Sequence, residues 1–87
     1  MGSSIKSIVI GNGVTTIGAY AFYDCTKLTS VTIPDSVTGI GKYAFYKCKH
    51  IKDVWYAGSE EDFNSMIIEK NNNSLTNANW HFGSCAI

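Results

Sequence analysis

The chain has 87 residues, enough for one small domain that buries about 60–65% of the surface its unfolded form exposes. Apolar residues make up 45% and aromatics 13%, which excludes a disordered chain, and 7 lysines balance 7 carboxylates with no arginine present. The missing guanidinium forks argue against nucleic-acid recognition, and no apolar run reaches the roughly 18–20 residues of a membrane span.

Residues 1–4 read as a lead-in, because Met1-Gly2-Ser3-Ser4 passes straight into an apolar pattern without the regions of a leader peptide. From Ile5 a period of 23 residues takes over. Ile5, Ile8, Ile10, Val14, Ile17, Gly18, Tyr20, Ala21, Phe22, Tyr23 and Cys25 return as Leu28, Val31, Ile33, Val37, Ile40, Gly41, Tyr43, Ala44, Phe45, Tyr46 and Cys48. In the second copy, Ser30-Val31-Thr32-Ile33 alternates as a half-buried strand does, with Val31 and Ile33 inward. Pro34 stops that strand because it has no N–H to donate, and Gly11 holds the same place one period earlier. Asp35-Ser36 and Asn12-Gly13 are turn pairs, after which Val37 and Ile40 point back to the core. Gly18 and Gly41 are expected to supply positive φ. Tyr20 to Cys25 and Tyr43 to Cys48 are too short for a full helix and predict one helical or 3₁₀ turn each.

A third copy opens with Ile51, Val54 and Tyr56 and breaks at Gly58. Ser59 is a helix N-cap, followed by Glu60, Glu61 and Asp62 in the first turn, where the helix dipole favours negative charge. Phe63, Met66 and Ile67 form an apolar stripe, Lys70 suits a last turn, and Asn71 to Asn73 stop the helix, which predicts a helix over about 59–70. Leu75-x-x-Ala78-x-Trp80 then repeats Ile51-x-x-Val54-x-Tyr56 after 24 residues, giving a last strand over about 77–82. The division is therefore 5–27, 28–50 and 51–58 for the repeats, and 59–87 for a C-terminal cap.

Repeats of this length bury their apolar faces only against one another. They predict a short right-handed α/β solenoid with a small parallel sheet on one side and a capping helix and strand at the end. The first unit has no cap before it, so Ile8, Ile10 and Ile17 are expected at an open edge that invites self-association. The chain reads as the C-terminal piece of a longer array.

The pattern Leu28-x-x-Val31-x-Ile33-Pro34-x-x-Val37-Thr38-x-Ile40-Gly41-x-x-Ala44-Phe45-x-x-Cys48 resembles the BspA-type, or Treponema pallidum-type, leucine-rich repeat. The tail, from Trp55-Tyr56-Ala57-Gly58 through Trp80-His81-Phe82, is similar to the closing unit of such arrays. That resemblance implies a bacterial surface or secreted protein, located outside the cell, whose repeats adhere to a host protein, extracellular matrix or a glycan.

The chemistry-bearing residues read mostly as structure. Cys25 and Cys48 fall at equivalent places and should stack about 5 Å apart as buried thiols. A disulfide between them fits the distance window, although parallel side-chain directions count against it. A zinc site from Cys48, His50, His81 and Cys85 lacks any strong ligand spacing. No basic neighbour activates a thiol, and Glu60-Glu61-Asp62 is better read as helix charge than as a catalytic pair. The chain is read as non-enzymatic, with no cofactor and no metal. Lys42, Lys47, Lys49 and Lys52 form either a solvated face or a patch for an acidic glycan or anionic surface. Asn72-Asn73-Ser74 fits a glycosylation acceptor or a simple turn.

Alternation sends Ser7 and Val9, Ser30 and Thr32, Asp53 and Trp55, and Asn77, Asn79 and His81 away from the core, with Tyr56 and Trp80 inward. Val9, Thr32, Trp55 and His81 line up as one column, unless Asn79 takes the fourth place. Trp55, with Thr32, Val9, Asp53 and His81 around it, is the candidate ligand contact, since aromatic anchors dominate interfaces. The plain alternative is that Trp55 shields the sheet. The function expected is a protein- or glycan-binding module, with a ligand-free spacer or an accessory unit of a larger enzyme as alternatives.

Overall fold

A computed structural model of the chain describes residues 5–83. The elements run β1 (Ser7–Val9), β2 (Thr16–Ile17), β3 (Ser30–Ile33), β4 (Gly39–Ile40), β5 (Asp53–Tyr56), α1 (Glu60–Ser65), β6 (Ile67–Ile68), α2 (Asn73–Thr76) and β7 (Asn79–Phe82). They make two parallel sheets, one ordered β1-β3-β5-β7 and one ordered β2-β4-β6. The repeat period sets the register, since Ile8 pairs with Val31 and Val31 with Val54, each one period apart. Alternation along β3 and β5 buries Val31, Ile33, Val54 and Tyr56. Leu28, Val37, Ile40, Ala44, Phe45, Cys48 and Leu75 complete a core that excludes solvent almost entirely.

The last strand settles which of two registers holds. Val54 pairs with Trp80, and Trp55 with His81, so the pairing is 26 residues apart, as the column ending in His81 expects, although the strand openings repeat after 24. Ala78 donates its N–H to Leu75 O in the turn that closes α2, so the ladder starts only when Asn79 N donates to Lys52 O at 2.9 Å. The strand is accordingly Asn79–Phe82 rather than about 77–82.

The cap helix is also shorter than expected. It ends at Ser65, and Met66 turns extended with φ −70° and ψ 138°. Ile67 and Ile68 then join the second sheet beside β4, with Ile67 N donating to Thr38 O and Glu69 N to Ile40 O. β-branched residues favour strand, and a waiting edge at β4 outweighs continuation of a short helix. Ile67 is therefore 68% exposed instead of lying on a buried stripe. Lys70 lies beyond the helix, not in its last turn.

The outer segments are turns rather than 3₁₀ helices. Tyr20 N donates to Lys42 O, Phe22 N to Ala44 O and Asp24 N to Tyr46 O, so every second N–H bonds to the following unit. A helical turn would direct those donors within its own segment. The left-handed residues are Tyr20 and Tyr43, both at φ 62°, with Asp24 at 63° and Lys47 at 65°. Gly18 and Gly41 do not have positive φ, contrary to the expectation. Gly41 is needed for a different reason, because a Cβ there would lie 2.5 Å from Ala19 N.

At the first unit, Ile8 and Ile17 are 9% and 4% exposed, so they are covered rather than open. Each faces inward beside its sheet partner, Val31 for Ile8 and Ile40 for Ile17, and Ile10 packs against the same core. The apolar surface left open there comes from Ile5, Val9 and Val14.

Candidate ligand-binding face

The outward side of the four-stranded sheet carries two parallel columns. Ser7, Ser30, Asp53 and Asn79 form one, and Val9, Thr32, Trp55 and His81 form the other. All five candidate residues, Val9, Thr32, Asp53, Trp55 and His81, therefore share one face, and His81 rather than Asn79 completes the column. Asn77 caps the end of α2 and lies outside the strand.

Parallel register places like positions about 4.8 Å apart, which is close to the stacking distance of aromatic rings. Trp55 and His81 use that spacing directly, with ring centroids 3.9 Å apart and planes 13° from parallel. His81 also meets Asp53 across the diagonal, with Nε2 2.9 Å from Oδ1. Both members of that pair keep more than a third of their side-chain surface exposed. A charge-assisted contact there contributes little to stability but fixes the imidazole against the indole. One indole face is covered in this way. What the site presents is a rigid aromatic edge, a carboxylate, a threonine hydroxyl and the exposed Val9.

The remaining candidates divide by location. Cys25 and Cys48 are free and buried, and Cys48 Sγ donates to Phe22 O at 3.0 Å. Burial pushes the Cys48 thiol up to about 11, which suits a core thiol and not a nucleophile. His50 is exposed, His81 is engaged on the sheet face, and Cys85 lies outside the described residues. The structure thus does not bring Cys48 and His81 together as a zinc site would require. Lys42 borders a hollow under the second sheet, while Lys47 and Lys49 border another beside Tyr46. Asn72 is fully buried: its Oδ1 accepts from Phe45 N, and its Nδ2 donates to Gly41 O and Glu69 O, all at 2.9 Å. A buried amide is closed to glycan attachment.

The sequence reading missed two features, this bonding role of Asn72 and a cluster of four tyrosines on the outer turns. The tyrosines carried a readable signal, because Tyr20/Tyr43 and Tyr23/Tyr46 repeat at one period and must therefore stack. Asn72 carried none, since it occurs once and outside the repeat.

Comparison with known families gives a match over residues 1–81 to the model described as a BspA type leucine-rich repeat region (6 copies). Searches of curated proteins and of solved structures gave no significant match. No helix among the described residues is long and apolar enough to cross a membrane. A match over nearly the whole chain, joined to parallel strands whose register follows the repeat, makes this protein a member of the BspA-type leucine-rich repeat family.

Proposed function

We propose that the chain is a non-catalytic binding module of a bacterial surface or secreted protein, serving adhesion through the outward face of its four-stranded sheet. Leucine-rich repeats of this family are generally non-catalytic and often mediate binding. The observation that carries the reading is the Trp55–His81–Asp53 cluster, held by stacking and a hydrogen bond on the outward face beside Thr32. A pre-ordered aromatic loses little side-chain entropy on contact, which is what interface anchors share. With one indole face covered by His81, the site suits a host protein or matrix protein better than a sugar stacked flat on the ring. The units are proposed to wind as a right-handed solenoid, the hand taken by nearly all connections between parallel strands.

The test is a binding screen of the chain against purified matrix proteins and glycans, repeated with Trp55→Ala. The variant should keep its circular dichroism and thermal midpoint while binding falls about tenfold or more, as expected for an anchor residue. Unchanged binding by the folded variant would remove Trp55 from the site. Binding to none of the probes would favour a spacer role.

A further inference from the structure

The outer turns carry a second surface that neither the core nor the sheet face explains. Tyr20 stacks on Tyr43 with centroids 5.1 Å apart and planes 8° from parallel, and Tyr23 packs on Tyr46 at 5.6 Å. Contacts between the columns, Tyr20–Tyr23 at 5.7 Å and Tyr43–Tyr46 at 5.0 Å, close a two-by-two array. These rings are not core packing, because Phe22 and Phe45 supply the inward-packed aromatic pair at 5.2 Å. Tyr20 and Tyr23 remain 51% and 40% exposed. Lys47, held at left-handed φ, places its Nζ 5.9 Å and 5.8 Å from the ring centres of Tyr23 and Tyr46. A cation is thereby fixed on the aromatic surface.

Beside Tyr46 the surface dips into a hollow of about 320 Å³, lined by Tyr46, Lys47, Lys49, Asn71, Asn73 and Ser74. That volume is at the lower end of small-molecule sites, which span roughly 300–1,000 Å³. Its lining residues include two lysines and no acid, and the rest are asparagines, a serine and a tyrosine. Asp24, the acid of the neighbouring turn, is not among the lining residues.

We propose that this tyrosine–lysine surface binds an acidic saccharide of the uronate or sialate class, one or two rings in size. A sugar offers an apolar C–H face that packs on an aromatic ring, and hydroxyls that amides can bond. Its carboxylate completes the match by accepting from Lys47 and Lys49. An acidic peptide fits less well. Extended peptides add to a free backbone edge, and here the turn N–H groups of Tyr20, Phe22 and Asp24 already bond to the next unit.

The experiment is an amide chemical-shift titration of the whole chain with D-glucuronic acid, with glucose as the neutral control and tetraglutamate as the peptide control. Glucuronic acid should produce saturable shifts at Lys47, Lys49, Asn73 and Tyr46 that weaken with added salt, leaving Trp55 unmoved. Lys47→Gln and Lys49→Gln, both at exposed positions that leave the fold intact, should each weaken binding about tenfold. Absence of saturable shifts, an equal response to glucose, an equal response to tetraglutamate, or full affinity in both variants would each overturn the proposal. Shifts centred on Trp55 instead would also count against it, and would return the ligand to the sheet face.

Discussion

Asn72 shows how a single buried amide can hold three segments together. Its carboxamide satisfies the Phe45 N–H of an outer turn, the Gly41 carbonyl after β4 and the Glu69 carbonyl after β6. The Phe45 N–H is buried and the two carbonyls are part-buried, and leaving a buried group unpaired costs about 1–3 kcal/mol. Asn72→Ala should therefore lower unfolding free energy by about 3 kcal/mol or more in urea titration. A loss below about 1 kcal/mol would mean that water replaces the amide. Cys48 makes a different kind of contribution. Desolvation raises its thiol from the ordinary value of 9.0 to about 11, and burial likewise raises Tyr56, with the Asp62 and Asp35 charges adding to that shift. A group whose folded pKa is raised keeps its full stabilising effect below the unfolded value and loses it above. The Cys48 contribution should hold up to about pH 9 and decline as the pH rises through about 11. Urea midpoints measured across that window should fall less steeply for Cys48→Ala than for the parent chain, with Tyr56 accounting for part of the residual slope.

At the scale of elements, equivalent positions in the repeat do not carry equivalent loads. A Cβ at Gly41 would lie 2.5 Å from Ala19 N and 2.9 Å from Gly18 C, all backbone that cannot swing aside. A Cβ at Gly18 would meet nothing within 4 Å. Gly41→Ala should therefore destabilise by about 2 kcal/mol or more, and Gly18→Ala by well under 1 kcal/mol, in matched thermal melts. Equal effects would show that these glycines act through backbone freedom and not through close approach. The same asymmetry explains what the sequence could and could not disclose. Alternation and period gave β1, β3 and β5 with their register and inward residues, and they placed Val9, Thr32 and Trp55 in one column. The start of α1 was also readable, since Ser59 and Asp62 form a reciprocal capping box. Its end was not. Phe63, Met66 and Ile67 satisfy helical spacing, and only the unfilled edge of β4, distant in sequence, draws Ile67 and Ile68 into a strand. The Asp53–His81 contact stayed open for a related reason, because either His81 or Asn79 fitted the fourth place of the column and only the turn after α2 fixes the register of β7.

At the scale of the whole molecule, the two ends of the sheet differ in chemistry. β7 ends the stack with Asn79 and His81 outward, whereas β1 ends it with Val9, which is 75% exposed. Below β1, Val14 helps line an apolar hollow of about 400 Å³ together with Ile8, Ile10, Ile17 and Phe22. Among the described residues β1 is an edge strand with apolar flanks, a template for pairing with another chain. For the 87-residue chain by itself, we infer that two copies meet through this end. A two-fold contact, β1 against β1, sets apolar surface against apolar surface and closes as a dimer that cannot propagate. A head-to-tail contact would instead set this hollow against the β7 end, where Asn79 and His81 face outward beside the 37% exposed Phe82. Sedimentation over a wide concentration range should show a monomer–dimer equilibrium that Val14→Lys shifts to monomer, because a charge placed in a closed apolar contact has no partner. A strict monomer at the highest concentration would contradict the contact. A continuing series of larger species would point to head-to-tail stacking, and the two-fold geometry would then be wrong.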